Sequence, residues 1–304
     1  MLHYCEVKMK WILVSILLVI GHSVEAQTQI VSQRTNEDVE IRIPASEFNA
    51  ETIFHLKNIN GDLNAIGYDG NEILITGSKI VTGKPAARDN FNPDEIYLDR
   101  LSGTNSIFVF VQHPGVEVEV RGDELHYTST RKKKRQSWNE NTLEFEFNLQ
   151  LKIPHYLMAH ISTINGGEVV VEGMSNGIDA ANINGSVFVN NVAGPVKAQT
   201  VNGNVRVEYE ETPSGNADFH TVNGTIEVIA PKNLSAVVTF KSLHGELYTD
   251  FEQVEYLKDR VRRNSDGIHR LKIERSSPIQ FGEGGPEMRL QLLNGNAYIK
   301  QRKS

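Results

Sequence analysis

The segment Thr200-Val-Asn-Gly-Asn-Val-Arg-Val207 decides the fold, because close copies of it recur along the second half of the chain. The copies begin at Thr163, Asn182, Thr200, Thr221 and Ser242, and two outlying copies begin at Asn58 and Leu292. The intervals between successive glycines are 18, 18, 21 and 21 residues, measured along Gly167, Gly185, Gly203, Gly224 and Gly245. A recurring period of this length indicates a stacked repeat architecture.

Each copy also carries the pattern of a strand. The second and fourth positions after the glycine are apolar, as at Val205 and Val207, with the polar Arg206 between them. This alternation of β-branched residues predicts a strand with one buried face. The Asn-Gly pair favours a corner with positive φ, and the same corner returns every 18–21 residues. The sequence therefore predicts an all-β fold, a single-stranded parallel β-helix or solenoid with glycine corners.

The repeated asparagines are interpreted as corner formers rather than as ligand-binding residues. Stacked corners place Asn165, Asn184, Asn202 and Asn223 above one another, and their side-chain amides are expected to bond in a ladder along the stack. His244 occupies the same place in the next copy and is expected to interrupt this ladder.

The start of the chain is typical of an exported protein. The hydrophobic run from Trp11 to Ile20 has signal-peptide length, and Lys8 and Lys10 precede it. Residues 1–26 are therefore predicted to be a signal peptide that is cleaved near Ala26, with both Met1 and Met9 open as the start. An uncleaved signal that anchors the chain is the alternative, and it is the one membrane attachment that the sequence suggests.

Composition excludes several classes of function. The 304-residue chain has a formal net charge of -7, which argues against a nucleic-acid partner. Its single cysteine, Cys5, lies in the predicted signal peptide. The mature protein is thus expected to have no disulfide, no thiolate nucleophile and no cysteine-ligated metal.

Residues 27–304 are predicted to form one domain with two irregular insertions, at 78–150 and 250–290. The first insertion is expected to hold antiparallel strands built onto the early rungs, and residues 27–55 are expected to cap the N-terminal end. In the second insertion, Glu252–Arg263 is expected to be a short helix or a loop. The final strand, Asn296–Lys300, is expected to close the domain.

These motifs resemble a known family. The Thr-x-Asn-Gly-x-Val-x-Val copies, the segment Gly67–Ile75 and the ending Asn294–Lys300 are similar to the putative adhesin family of bacterial proteins, a β-helical domain of unknown function of the DUF4097 type. The resemblance spans nearly the whole mature chain. It implies an exported or envelope-associated protein and transfers no catalytic residues.

One local feature is a candidate partner-binding site. Arg131, Lys132, Lys133, Lys134 and Arg135 form a run of five positive charges, and Trp138 follows them. Such a run contacts anionic groups, and the tryptophan can stack on a sugar. A solvated hairpin tip between two strands is the alternative interpretation.

Other side chains are weaker candidates. A carbohydrate-active β-helix enzyme would place carboxylates on one outer face, with candidates at Glu168, Glu172, Asp179, Glu208, Glu210 and Asp218, but they do not recur at matching positions. His220 and His244 would form a weak metal site if they stacked one rung apart. Phe188, Tyr209, Phe219 and Tyr248 are candidate outward aromatic contacts, with ordinary exposed or partly packed strand aromatics as the alternative interpretation. We therefore predict no catalytic residue, no cofactor and no metal.

The sequence favours a non-enzymatic exported module of the bacterial envelope, in the periplasm or at the cell surface, with a structural, adhesive or partner-binding role. An envelope protein or a glycan is the expected class of partner. The alternatives are a carbohydrate-active lyase or hydrolase and an envelope signalling or stress-response component.

Overall fold

The computed structural model describes residues 33–83, 92–129, 143–257 and 278–303. These ranges contain two short 3-10 helices, at Ala45–Glu47 and Pro93–Glu95, and otherwise strands and turns. No helix within them is long and apolar enough to span a bilayer. The strands of the first half are β1 (Gln33–Pro44), β2 (Ile53–Lys57), β3 (Leu63–Tyr68), β4 (Glu72–Gly83), β5 (Tyr97–Ser102), β6 (Ser106–Gln112), β7 (Val116–Arg121), β8 (Glu124–Ser129) and β9 (Leu143–Pro154).

The second half continues with shorter strands. They are β10 (Met158–Ser162), β11 (Val169–Glu172), β12 (Ile178–Ala181), β13 (Val187–Asn190), β14 (Val196–Asn202), β15 (Val205–Glu208), β16 (Ala217–Asn223), β17 (Ile226–Ala230), β18 (Ala236–His244), β19 (Leu247–Thr249), β20 (Val254–Tyr256), β21 (Ile279–Phe281), β22 (Glu287–Asn294) and β23 (Ala297–Gln301).

Two large sheets hold nearly all of these strands. Sheet I has ten strands in the order β1-β4-β9-β3-β11-β13-β15-β17-β23-β19. Sheet II has eleven strands in the order β20-β21-β18-β22-β16-β14-β12-β10-β2-β6-β5. The hairpin β7–β8 forms a separate two-stranded sheet.

Each copy of the repeat is one rung that supplies one strand to each sheet. In the rung β14–β15, the chain runs along sheet II, turns at Asn202-Gly203 and returns along sheet I. Neighbouring rungs pair in parallel, so that Val205 lies beside Val187 on one side and Ile226 on the other. The prediction of an all-β fold with mostly parallel sheets is confirmed.

The core lies between the inner faces of the two sheets. Val205 and Val207 of sheet I are fully buried, as are Ala198 and Phe219 of sheet II. Because the side chains of a strand alternate between its faces, each rung sends apolar residues inward and polar residues outward. This arrangement leaves the outer faces of both sheets for charged side chains.

The asparagine ladder is present and longer than predicted. Asn184, Asn202, Asn223 and Asn294 each donate from Nδ2 to the Oδ1 of the asparagine on the neighbouring rung, at 3.0, 2.9, 2.9 and 2.9 Å. The added member, Asn294, belongs to the outlying C-terminal copy and lies between Asn223 and His244. The ladder therefore joins five successive corners with side-chain amides.

The threonine of the motif has a buried role of its own. Thr200 Oγ1 donates to the carbonyl oxygen of Gly185 at 2.7 Å, and Thr221 Oγ1 donates to that of Gly203 at 2.9 Å. Each threonine thus satisfies a carbonyl of the rung beside it, in a place where water is excluded.

At several corners, glycine is required because a Cβ would collide with the backbone of the neighbouring rung, and not because φ is positive. Gly61 and Gly295 have φ of 112° and 130°, but the φ of Gly185 and Gly203 lies outside the positive region. A Cβ on Gly203 would collide with the carbonyl oxygen of Gly185, one rung away. The expectation that these corners require φ > 0 is therefore wrong for several copies, and the close stacking of corner backbones is the physical reason.

The early part of the domain mixes parallel and antiparallel pairing. Strand β9 pairs in parallel with β3 and in antiparallel with β4, and β1 pairs in antiparallel with β4. Strand β6 pairs in parallel with β2 and in antiparallel with β5. The long strands β1, β4 and β9 thus extend sheet I beyond the first rung.

Two expectations about the C-terminal part are wrong. The predicted final strand does not close the stack, and part of Glu252–Arg263 is a strand. Strand β23, which contains the predicted final strand, lies between β17 and β19, and β22 lies between β16 and β18. The last rung in sequence is therefore inserted between two earlier rungs. Part of Glu252–Arg263 is also a strand, β20, because it pairs with β21, while residues 258–263 lie outside the described residues.

Candidate functional site

The basic run Arg131–Arg135 and Trp138 lie outside the residues that the structure describes. The strand before them, β8, ends at Ser129, and the strand after them, β9, begins at Leu143. In sequence, the run therefore follows directly on the hairpin β7–β8.

A pocket of about 510 Å³ lies on the outer face of sheet II, next to the hairpin turn. The strands β2, β10, β12 and β14 form its floor. The turn residue Asp123 and the first residue of β8, Glu124, form one wall. A hydrogen bond from the backbone N–H of Asn105 to Asp123 Oδ1, at 2.9 Å, ties this turn to the loop before β6. Lys57 Nζ lies 5.7 Å from the centre of the Tyr127 ring and links the floor to strand β8.

Two histidines from neighbouring rungs lie side by side in this pocket. His55 of β2 pairs with His160 of β10, and their ring centres are 4.6 Å apart in an edge-on arrangement. The other face of His55 stacks on Phe108 at 4.5 Å. His55 Nε2 is buried and has no hydrogen-bond partner among the described residues.

The pocket holds both imidazoles in the neutral form. Burial, together with smaller electrostatic effects of His160 and Lys57, lowers the pKa of His55 to about 4, against a weaker opposing effect of Asp123. Burial also lowers the pKa of His160, while the Asp179 carboxylate acts to raise it. Neutral imidazoles offer one donor and one acceptor each, so the pair suits a polar ligand better than an anion.

From this pocket, a row of alternating charges extends across sheet II. His160 lies beside Asp179, and the next strands place Lys197, Asp218 and Arg289 in the same row. Lys197 Nζ is 3.1 Å from Asp179 Oδ2. Opposite charges on adjacent strands stabilise the pairing register modestly, and they leave the row close to neutral.

The outer face of sheet I carries a second network of ion pairs. Glu227 contacts Lys300 at 2.6 Å and Arg206 at 3.4 Å. Glu208 contacts Arg302 at 3.5 Å and Arg206 at 3.6 Å. These three positive charges are therefore paired with carboxylates.

The structure divides the six carboxylates that were candidates for glycoside chemistry. Asp179 and Asp218 lie on sheet II, with the strand of Lys197 between them. Glu172 and Glu208 lie on sheet I, Glu168 lies in a corner and Glu210 follows β15. The six residues are therefore not brought together at one site.

The proposed pair of His220 and His244 is also not formed. His220 pairs with Gln199 and Gln291, and His244 pairs with Asn294, because the rung β22–β23 lies between them. Among the described residues, no group of three or more His, Cys, Asp or Glu side chains is arranged to hold a metal ion.

Two of the four expected aromatic contacts are wrong. Tyr209 and Phe219 are fully buried in the core. Phe188 is half-buried on the outer face of sheet I, and Tyr248 is exposed and stacks on Tyr298 with ring centres 5.4 Å apart. These aromatic side chains thus do not form a common surface.

The histidine pocket was missed by sequence reasoning, although a signal exists. Strands β2 and β10 read Ile53-Phe-His-Leu-Lys57 and Met158-Ala-His-Ile-Ser162, with a histidine flanked by apolar residues at the same position in each. The two segments are distant in sequence, and only the register of the rungs makes them neighbours.

Comparison with solved structures gives five similar chains, three of which are as follows. A putative cell adhesion protein from Clostridium sporogenes is 11% identical, with 88% of this chain and 100% of that chain covered and a TM-score of 0.43. A putative adhesin from Bacteroides fragilis is 10% identical, with coverages of 89% and 97% and a TM-score of 0.33. A putative lipid binding protein from Parabacteroides distasonis is 11% identical, with coverages of 88% and 97% and a TM-score of 0.22.

No match was found among curated proteins. The model of the Toastrack DUF4097 family matches residues 15–277, which is most of the chain. This protein therefore belongs to the Toastrack DUF4097 family.

Proposed function

We propose that this protein is a non-enzymatic module exported to the bacterial envelope, where it binds a polar partner, a glycan or an envelope protein. The observation that carries this proposal is the pocket between the outer face of sheet II and the hairpin β7–β8. Here a hairpin rises beside the outer face of sheet II and makes a concave surface with it, the shape that ligand sites favour.

The chemistry of the pocket fits a ligand rich in hydroxyl or amide groups. Lys57, Ser162 and Gln199 offer donors and acceptors beside the two neutral imidazoles. Glycans and extended peptide segments present such groups at close spacing. The basic run and Trp138, which follow the hairpin in sequence, are proposed as a second contact for the same partner.

The carboxylates of the pocket favour binding over hydrolysis. Glycoside hydrolysis requires a pair of carboxyl groups, one as the acid and one as the base or nucleophile. In this pocket Asp179 is paired with Lys197 at 3.1 Å, and Asp123 accepts the bond from Asn105 at 2.9 Å. These two carboxylates therefore have structural partners, and the third, Glu124, lies 3.9 Å from His126 Nε2 at the wall of the pocket. A carbohydrate-active enzyme is the less favoured alternative.

The binding experiment compares one pocket residue with a matched control. The full chain and its Lys57→Ala and Lys152→Ala variants are sedimented with insoluble cell-wall glycan and, separately, with detergent-solubilised envelope protein on beads. Lys152 is an exposed lysine on the outer face of sheet I, away from the pocket. We expect Lys57→Ala to weaken binding about tenfold, which corresponds to about 1.4 kcal/mol, and Lys152→Ala to bind as the wild type does.

Three results would contradict the proposal. The first is equal loss of binding in the two variants, and the second is no binding of the wild type to either material. The third is release of new reducing ends from acidic or neutral glycans, which would favour the enzyme. Cell fractionation tests export separately, since recovery of the unprocessed chain in the cytoplasm alone would contradict it.

A further inference from the structure

The second position of the repeated motif forms an apolar ridge along the corner edge of the stack. The ridge consists of six aliphatic residues on successive rungs: Ile164, Ile183, Val201, Val222, Leu293 and Leu243. The exposed fractions of Ile164, Ile183, Val201, Leu293 and Leu243 are 39, 41, 37, 41 and 67%. With adjacent strands about 4.8 Å apart, the ridge is about 24 Å long.

Hydrogen bonds on both sides hold four of the six ridge residues outward, namely Ile164, Ile183, Val201 and Val222. In the rung of Val201, the preceding Thr200 is buried and donates to the carbonyl of Gly185. The following Asn202 is fixed in the ladder by its bond to Asn184. The aliphatic side chain between them therefore cannot turn into the core without breaking one of these bonds. A contiguous exposed apolar surface of this kind indicates a contact site.

Charges bracket the ridge at both ends, and their signs differ between its two flanks. At one end, Lys57 lies on the sheet II flank and Asp62 on the sheet I flank of the same rung. At the other end, the exposed residues Lys241 and Glu246 take these places. Each end therefore has a positive flank and a negative flank.

The middle of both flanks is mostly uncharged. The sheet II flank continues through Ser162, Ala181, Gln199, His220 and Gln291. The sheet I flank continues through Glu168, Ser186, Asn204, Thr225 and Asn296. The charges whose attraction or repulsion would orient a partner are therefore concentrated at the two ends of the ridge.

We propose that the ridge is the contact surface for a second copy of this chain, related by a two-fold axis that runs parallel to the stack. A rotation about that axis places each rung level with the same rung of the second copy. It also sets the sheet II flank of one copy against the sheet I flank of the other. Each ridge residue then meets the same residue of the second copy, and Lys241 meets Glu246 of the second copy. The opposite orientation, with the axis across the stack, would bring Lys57 against Lys241, and like charges repel.

The ridge is narrow, which sets the expected strength of the dimer. Stable complexes bury more than about 1,000 Å² in total, and a surface one residue wide lies at the low end of this range. We therefore expect a weak dimer with a dissociation constant on the order of 10–100 μM. Display of many copies on one envelope would raise its population by mass action.

The main experiment is sedimentation velocity of the full chain across a concentration series from about 1 to 300 μM, chosen to bracket the expected constant. The double variant Ile183→Ser, Val201→Ser removes apolar surface from the middle of the ridge. Its matched control is Ile66→Ser, because Ile66 is 49% exposed and lies away from the ridge on sheet I. We expect dimer formation to be weakened at least tenfold in the double variant and unchanged in the control.

A charge exchange tests the orientation. Lys241→Glu alone and Glu246→Lys alone each place like charges opposite one another, so each is expected to weaken the dimer. The combined variant restores opposite charges and is expected to recover wild-type association. A second test uses Ile164→Cys in a Cys5→Ser chain, since a residue at one end of the ridge can crosslink to itself only when the two stacks run in the same direction.

Clear outcomes would overturn the proposal. They are a wild-type chain that stays monomeric at every concentration, equal behaviour of the ridge and Ile66 variants, or a charge exchange that fails to restore the dimer. A monomeric chain that sediments with neutral phosphatidylcholine vesicles would instead assign the ridge to a lipid surface.

Discussion

Replacement of His55 by phenylalanine is expected to reduce the loss of stability that the protein suffers in mild acid. His55 packs against Phe108 and His160, and its buried Nε2 has no partner among the described residues. A phenylalanine ring fills a similar volume and does not titrate. The difference between variant and wild type therefore reports the proton uptake of His55 together with its electrostatic effect on His160.

The magnitude follows from the pKa of His55 in the two states. In the unfolded chain it is 6.5, and in the folded protein it is about 4, because burial and, more weakly, the electrostatic effects of His160 and Lys57 oppose protonation. Between these values the unfolded chain binds more protons than the folded one, so stability falls as the pH falls. The full shift corresponds to about 3.4 kcal/mol; because the ring is partly exposed, solvent screening reduces this to about 1–2 kcal/mol.

The assay is urea unfolding followed by far-UV circular dichroism at several values between about pH 7 and pH 4, the window set by the two pKa values. Carboxylates titrate in both proteins, so they cancel when the two curves are subtracted. We expect the free energy of unfolding of the wild type to fall by about 1–2 kcal/mol more than that of His55→Phe. Parallel curves for the two proteins, or a His55 pKa near 6.5 measured by NMR, would refute the reasoning.

Three further predictions concern the stack. Gly203→Ala should lower the free energy of unfolding, measured by thermal unfolding, by about 2–4 kcal/mol, because its Cβ meets the carbonyl of Gly185. The control Gly122→Ala, with φ of +65° and open space around it, should lower it by only about 1 kcal/mol. Tyr209→Phe should stabilise by about 1 kcal/mol in the same assay, since the buried hydroxyl has no partner among the described residues. Deletion from Glu287 onward should abolish cooperative unfolding and expose β18 and β19 to limited proteolysis, because it removes their parallel neighbours.

The regular part of the fold could be predicted from the sequence, because each rung repeats the same local requirements. The Asn-Gly corner and the alternation at Val205 and Val207 report directly on the stack and its inward face. The same alternation also explains Tyr209, which continues the buried parity of these valines. The expected outward position of Tyr209 is wrong because the alternation continues for one residue beyond the end of β15.

The remaining features depend on which rungs become neighbours. Every copy of the motif offers the same backbone edge and the same asparagine, so the sequence does not distinguish β18 from β22 as the partner of β16. The pairing of His55 with His160 depends on the same choice, made across more than a hundred residues of intervening chain. Local periodicity therefore predicts the rung but not the order of the rungs.

The position of β22 and β23 between earlier rungs has a consequence for how the protein is made. A solenoid whose rungs follow sequence order can be completed gradually, as each new turn of chain leaves the ribosome or a translocation channel. Here β18 and β19 are synthesised before the strands that bind them, so they must wait for a later segment to enter beside them. The stack is thus completed by the insertion of β22 and β23. A chain that stops before Glu287 lacks these two strands, which separate β18 and β19 from the earlier rungs. The C-terminal end of the stack can therefore be complete only after the chain has been synthesised beyond Glu287.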